Sequence, residues 1–213
     1  MKSNFKSFFL FAALAFLQPI PGFAAAPSVS TPPTDPRMSE RVLGKADAPV
    51  KVDEFVSLTC THCADFYVNV LPKLEAKYVD SGKVKFVIHD FPIDGLSLKA
   101  AAVARCMPKD EFFPFVKTLY ATQASWAFAA GSPEGNLIQT AKLGGLDGDK
   151  AKACADDEKL QKEILDERTV VADKFSISAT PTFVLNDGAE TIKGAQGPEV
   201  FSAAFDRLLA VKK

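Results

Sequence analysis

The residues with the widest chemical reach in this chain are Cys60 and Cys63, in the run Cys60-Thr61-His62-Cys63. Two thiols at this spacing can close a structural disulfide, supply half of a metal site, or exchange electrons with thiols on other molecules. A zinc site needs a second close ligand pair. Cys106 and Cys154 stand about 50 positions apart with no histidine beside them, so no metal is expected.

Exchange chemistry runs through the thiolate, and the flanking sequence supplies a place for one. Val50 to Ser57 has the two-residue alternation of a strand, and it leads almost directly into the pair. Cys63 to Tyr78 carries Phe66, Tyr67, Val70, Leu71 and Leu74 at helical spacing, which predicts a helix leaving the pair, kinked at Pro72. A cysteine at that junction lies beside unpaired helix amides, which favour its thiolate and make Cys60 both nucleophile and leaving group. His62 offers a second stabilising donor. Glu54 shares a strand face with Val50, Val52 and Val56, where another valine would be ordinary. It is either an exposed residue near the strand's end or a buried carboxyl of raised pKa that relays the proton of Cys63. Further on, Pro181 stands at the entrance of the apolar run Thr182 to Leu185, a position that suits a residue without an N–H. A cis bond there would turn the backbone of Thr180 toward the cysteines and toward an extended substrate.

The rest of the chain must carry these pieces. After a turn at Asp80-Ser81-Gly82, Val84 to His89 reads as a second strand, completing a parallel βαβ unit. From about 96 to 175 no strand is predicted. Helices over Ser97 to Cys106, Asp110 to Gln123, Gly135 to Leu143 and about Asp156 to Phe175 form an insertion, the last opened by the acidic run Asp156-Asp157-Glu158. Thr182 to Asn186 and Glu190 to Lys193 flank the hairpin dipeptide Asp187-Gly188, and a helix over Pro198 to Val211 closes the chain. His89 reads as a packing or solvent-facing residue, and Trp126, Phe112, Phe113, Phe115 and Phe128 as packing residues.

Lys2 and Lys6, an apolar run from Phe8 to Leu17 and the small residues Ala24, Ala25 and Ala26 have the order of a secretory signal peptide. The run is short for a membrane span, and cleavage is expected after about Ala26, an uncleaved anchor being the other reading. Removing two lysines takes the formal charge from -1 to -3, which leaves no basic field for nucleic acid. Export would also place the four cysteines in an oxidising compartment. Residues 27–41 contain four prolines and little apolar pattern, so a flexible lead-in is expected before a domain over 42–213.

Taken together, Leu43-Gly-Lys-Ala-Asp-Ala-Pro49, Glu54 and Phe55, Cys60-x-His62-Cys63, Phe91-Pro92, the Gln123 to Trp126 stretch and Thr180-Pro181-Thr182 resemble the DsbA family of exported thiol-disulfide interchange proteins. The resemblance spans about 42–211. It implies an α/β, thioredoxin-like fold with a mixed central sheet and an inserted helical subdomain. It further implies Pro181 as the cis-proline, Glu54 as the buried acid, and a noncatalytic Cys106–Cys154 disulfide, two buried free thiols being the alternative. On this reading Cys60, His62, Cys63 and Glu54 carry the reaction, Thr180 and Pro181 meet the substrate, and no cofactor is needed beyond the redox-active pair. The partners implied are reduced, unfolded exported proteins in the periplasm and a DsbB-like membrane protein that reoxidises the pair. About 23 residues between cleavage site and first strand are too few for the dimerisation domain of related isomerases, which favours a monomer. Thr61 departs from the proline of well-known oxidases. Because the two residues between the cysteines tune the redox potential, an isomerase or reductase remains the alternative, and a nonenzymatic chaperone a more distant one.

Overall fold

The computed structural model describes residues 34–211; the expected signal peptide over 1–26 and the start of the lead-in lie outside the described residues. Among the described residues, five strands form one sheet in the order β1-β3-β2-β4-β5: β1 Val42–Leu43, β2 Val50–Val56, β3 Val84–Asp90, β4 Thr182–Leu185 and β5 Glu190–Lys193. β2 is central because nearly every residue in it is buried, on both faces. Val50, Val52 and Val56 enter the main core, while Phe55 points to the opposite side, against Phe91, Val171, Ile177 and Val184. β2 runs parallel to β3, with Glu54 opposite Ile88, and antiparallel to β4, with Glu54 opposite Phe183. The sheet is therefore mixed, as expected. β1 is an unanticipated edge, since two residues carry no readable alternation; it pairs antiparallel with β3.

The crossover from β2 to β3 is helical throughout. It comprises α1 (Thr61–Asp65), a wide turn over Phe66–Val70, α2 (Leu71–Leu74) and a second wide turn over Glu75–Val79. It begins two residues before the predicted Cys63, because Cys60 itself takes the capping position. The Leu71 N–H bonds to the Phe66 carbonyl, five residues back. That widening makes room for the ring of Pro72, which would clash in a tight helix and has no N–H to give. Phe66 then packs on Phe183 and Phe201 at ring distances of 4.4 and 5.3 Å, which fixes the crossover to the sheet and to α9 (Pro198–Val211).

Between β3 and β4 the described residues hold the helical insertion: α3 Gly95–Arg105, α4 Phe112–Ala121, α5 Gln123–Trp126, α6 Pro133–Leu143, α7 Gly148–Ala155 and α8 Glu158–Phe175. α5 and α7 go beyond the periodicity reading. α5 is a single turn, and α7 buries Ala151, Cys154 and Ala155, which make a weak apolar pattern. α8 covers the sheet face opposite the crossover through Val171. Phe128, expected in the packing, is 58% exposed. The hairpin also differs. β4 stops at Leu185, and Asn186, Asp187 and Gly188 all take positive φ, so the turn is longer than the dipeptide predicted.

The expectation of a solvated lead-in does not hold from residue 34 onward. Asp35 caps the turn Pro36–Met38 and pairs with Arg37, which also reaches Asp157 at 2.6 Å. Met38 is buried with Leu160 and Ile164. Met38 and Arg37 anchor the segment together with hydrogen bonds from Thr34 and the Asp35 N–H to Glu163 and from Arg105 to the Arg37 and Ser39 carbonyls, and none of these produces an apolar period that sequence inspection can detect.

Candidate active site

The end of β2, the start of α1 and the start of β4 converge on the cysteine pair. Both thiols are free of disulfide. Cys60 caps α1 and keeps a little exposure, Cys63 is fully buried, and Thr61 and His62 between them are exposed. The Thr180–Pro181 bond is cis, and the Thr180 carbonyl lies 3.4 Å from the Cys60 sulfur. Cys60 is held down at about pKa 5. The Cys63 thiol donates toward it; burial opposes the charge; the Thr180 side chain and the amides of Cys63 and His62 add to the stabilisation. Cys63 is pushed well above its ordinary value, by burial first and then by the neighbouring Cys60 sulfur. The two sulfurs thus divide into a thiolate at neutral pH and a buried thiol.

Glu54, on β2, is fully buried. Burial raises its pKa to about 7, with a hydrogen bond from Tyr67 acting the other way. The Tyr67 hydroxyl donates to Glu54 Oε1 at 2.6 Å, and the Tyr67 ring packs on Tyr120, centroids 4.4 Å apart. Tyr120 in turn donates to the Ser57 carbonyl at 3.2 Å. Burial drives both phenols upward, so both remain protonated donors at neutral pH.

The loop between β2 and α1 is clamped from the insertion. Gln123 spends its amide on the carbonyls of Leu58 and Cys60, at 2.7 and 3.1 Å. Thr59 donates to Asp94 at 2.6 Å, and Asp94 also receives the Ser97 N–H as the cap of α3. Tyr67, Tyr120, Thr59 and Asp94 were not singled out from the sequence. Only Tyr67 had a signal, its place one helical turn after Cys63; the others come from elements whose approach no local pattern records.

Of the expected site residues, the structure brings Cys60, Cys63, Thr180 and Pro181 together, with Thr61 and His62 on the exposed side, and links Glu54 to the pair through Tyr67, which neighbours Cys63. Cys106 and Cys154 lie elsewhere, at the end of α3 and within α7, joined at an S–S distance of 2.01 Å. Arg37 of the lead-in reaches the Cys106 sulfur at 3.4 Å. Among the described residues no group of three or more His, Cys, Asp or Glu side chains is arranged to hold a metal ion. His89 lies on the far face of the sheet, between Asp53 and Glu167, with Phe55 stacked on its ring.

A thioredoxin family model matches residues 37–207. A putative protein-disulfide oxidoreductase of Rickettsia felis is 30% identical over 176 residues, which is 82% of this chain and 62% of that protein. The chain thus spans about three fifths of that relative's length. Disulfide bond formation protein D of Bacillus subtilis is 31% identical over 160 residues, covering 68% of this chain and 67% of that one. The crystal structure of Wolbachia pipientis alpha-DsbA1 superposes with a TM-score of 0.74 at 30% identity, over 81% of this chain and 92% of that chain. The match runs from the lead-in turn through α9 and includes the helical insertion, so this chain belongs to the thioredoxin family, among its DsbA-like members.

Proposed function

We propose that the protein is a thiol-disulfide oxidoreductase that introduces disulfides into exported proteins through Cys60 and Cys63. In the oxidised enzyme a substrate thiolate attacks the Cys60 sulfur, the Cys60–Cys63 bond breaks, and Cys63 leaves with the electron pair and takes up a proton. A second substrate thiolate then attacks the substrate sulfur of the mixed disulfide, and Cys60 departs as thiolate. The substrate loses two electrons, and the enzyme holds them as its dithiol. Glu54, poised near neutrality, returns and accepts the Cys63 proton. His62 and Thr61 face solvent at the mouth of the site, where they tune the pair, and the backbone of Thr180 before Pro181 aligns an extended substrate.

The observation that carries this reading is the opposite displacement of the two thiols. A Cys60 pKa of about 5 makes it a good leaving group and stabilises the reduced enzyme, which is the direction of an oxidant. The names of the Rickettsia and Bacillus relatives point the same way. The remaining proposals follow from the sequence. The chain is exported to the periplasm with its leader cut after about Ala26, the domain over 42–213 works as a monomer, and a DsbB-like membrane protein reoxidises it. Cys106 and Cys154 serve structure, not exchange. Equilibration of the Cys60–Cys63 pair with glutathione is the direct test. A potential well above about -180 mV is expected; one near about -270 mV, the range of thioredoxin, would make the protein a reductase instead.

A further inference from the structure

Glu54 is fully buried, yet one of its two oxygens is left over. Oε1 receives the Tyr67 hydroxyl, whereas Oε2 has no hydrogen-bond partner among the described residues. Tyr67 follows Cys63 by one helical turn, so the two buried side chains share the helix face that meets the sheet. Its ring is fixed between Tyr120 and the edge of Phe66, at centroid distances of 4.4 and 5.7 Å. Phenylalanine would fill the same space, so packing accounts for the ring and leaves the hydroxyl to be explained. A buried hydroxyl bonded to a carboxyl beside a reactive thiol has a chemical use: it binds the charged carboxylate more strongly than the neutral acid.

We infer that Tyr67 is a positioning residue for thiol exchange, its hydroxyl holding Glu54 by Oε1 so that Oε2 is the oxygen that gives and takes the Cys63 proton. The inference rests on the exchange reading above. When the Cys60–Cys63 bond breaks, Cys63 leaves as thiolate, the proton passes to it from Glu54, and the new carboxylate is stabilised by the Tyr67 bond. On reoxidation the proton returns along the same route. The other titratable groups around Glu54 are Tyr120 from α4, the Glu75–Lys117 pair joining the crossover to α4, and His89 from β3, while Cys63 from α1 neighbours both Tyr67 and Tyr120. The partners of Glu54 across β3 and β4, Ile88 and Phe183, are apolar. Among the described residues, Tyr67 alone donates to it directly.

The test uses the full chain and its Tyr67→Phe, Glu54→Gln and double variants. Two readouts are followed: the carbon NMR titration of the Glu54 carboxyl, and the pH profile of reduction of the Cys60–Cys63 disulfide by glutathione. In Tyr67→Phe the Glu54 midpoint should rise by about one pH unit or more, a tenfold change in its ionisation constant, and the inflection in the rate profile should move with it. Glu54→Gln should erase that inflection and make Tyr67→Phe silent in the profile. An unmoved midpoint in folded Tyr67→Phe overturns the inference, and so does a moved midpoint with an unmoved profile. A ring-fluorinated tyrosine at position 67, a stronger donor of nearly the same size, should instead lower the midpoint; a rise or no change there counts against the inference even if Tyr67→Phe does not fold. Complete lack of reaction with glutathione in the parent would sink the exchange reading itself, and it is recognised without reference to the carboxyl titration.

Discussion

His89 carries a charge beneath the sheet because both of its ring nitrogens face carboxylates, Asp53 at 3.0 Å and Glu167 at 3.2 Å. Burial opposes the imidazolium, but the two hydrogen-bonded partners outweigh it and raise the pKa to about 9. The raised value means that this cluster contributes its full stability below about pH 6.5, the value of an unfolded histidine, and loses it as pH climbs through about 9. Glu54 works in the same direction at lower pH: its carboxyl, raised from 4.5 to about 7 by burial, costs the fold stability as pH rises from about 4.5 to about 7, and the loss is complete above that value. Unfolding free energy should therefore fall from weakly acidic to alkaline pH, by on the order of 3 kcal/mol for the His89 share. The measurement is urea unfolding across pH on the disulfide form, where neither Cys60 nor Cys63 titrates. His89→Asn should flatten the part of the slope between about pH 6.5 and 9; an unchanged slope would mean that the imidazolium is not held by its neighbours. Nothing in the local sequence marks this cluster, because its three members come from β2, β3 and α8.

Elements pass closely where β1 turns toward β2. Gly44 has a φ of +105°, and a Cβ there would lie 2.9 Å from both Val79 Cγ1 and the Val84 carbonyl. The glycine lets the edge strand pass between the end of the crossover and the start of β3. Gly44→Ala should cost more than about 2 kcal/mol, from backbone strain and contact together. Gly145, with a φ of +89° and nothing within 4 Å of its Cβ position, separates the two causes. Gly145→Ala carries the strain alone, so a urea midpoint shift as large as that of Gly44→Ala would refute the steric account. At this scale the sequence was readable wherever an element carries its own period. β2, β3, the crossover, α8 and α9 follow alternation or helical spacing, and Pro181 marks the entrance of β4. β1, α5 and α7 are too short or too alanine-rich to show a period, and the long hairpin turn depends on three consecutive left-handed residues, of which Asp187 and Gly188 were legible as a hairpin dipeptide and Asn186 read as strand. The active pair itself was legible because its residues are neighbours in sequence. Its support from Gln123, Tyr120 and Asp94 was not, because a contact between distant segments leaves no local pattern.

The whole molecule is held by a bond remote from the chemistry. The Cys106–Cys154 disulfide ties α3 to α7 across 48 residues of chain, and Arg37 docks the lead-in turn against it. Loop-closure entropy puts the stabilisation at about 4 kcal/mol, before any native-state strain is subtracted. Cys106→Ala with Cys154→Ala should lower the unfolding free energy by up to that amount while leaving the Cys60–Cys63 pair free to react. Loss of thiol exchange in a folded double variant would show that this bond belongs to the reaction.

The grip of Gln123 on the Leu58 and Cys60 carbonyls has an electrical side. Each carbonyl oxygen carries negative charge, and two of them belong to the loop that presents the Cys60 sulfur. With both oxygens occupied by one amide from the insertion, their field is partly cancelled at its source, and the unpaired N–H groups of α1 face the thiolate with less competition. The helical insertion thereby shapes the polarity of a pair to which it contributes no sulfur.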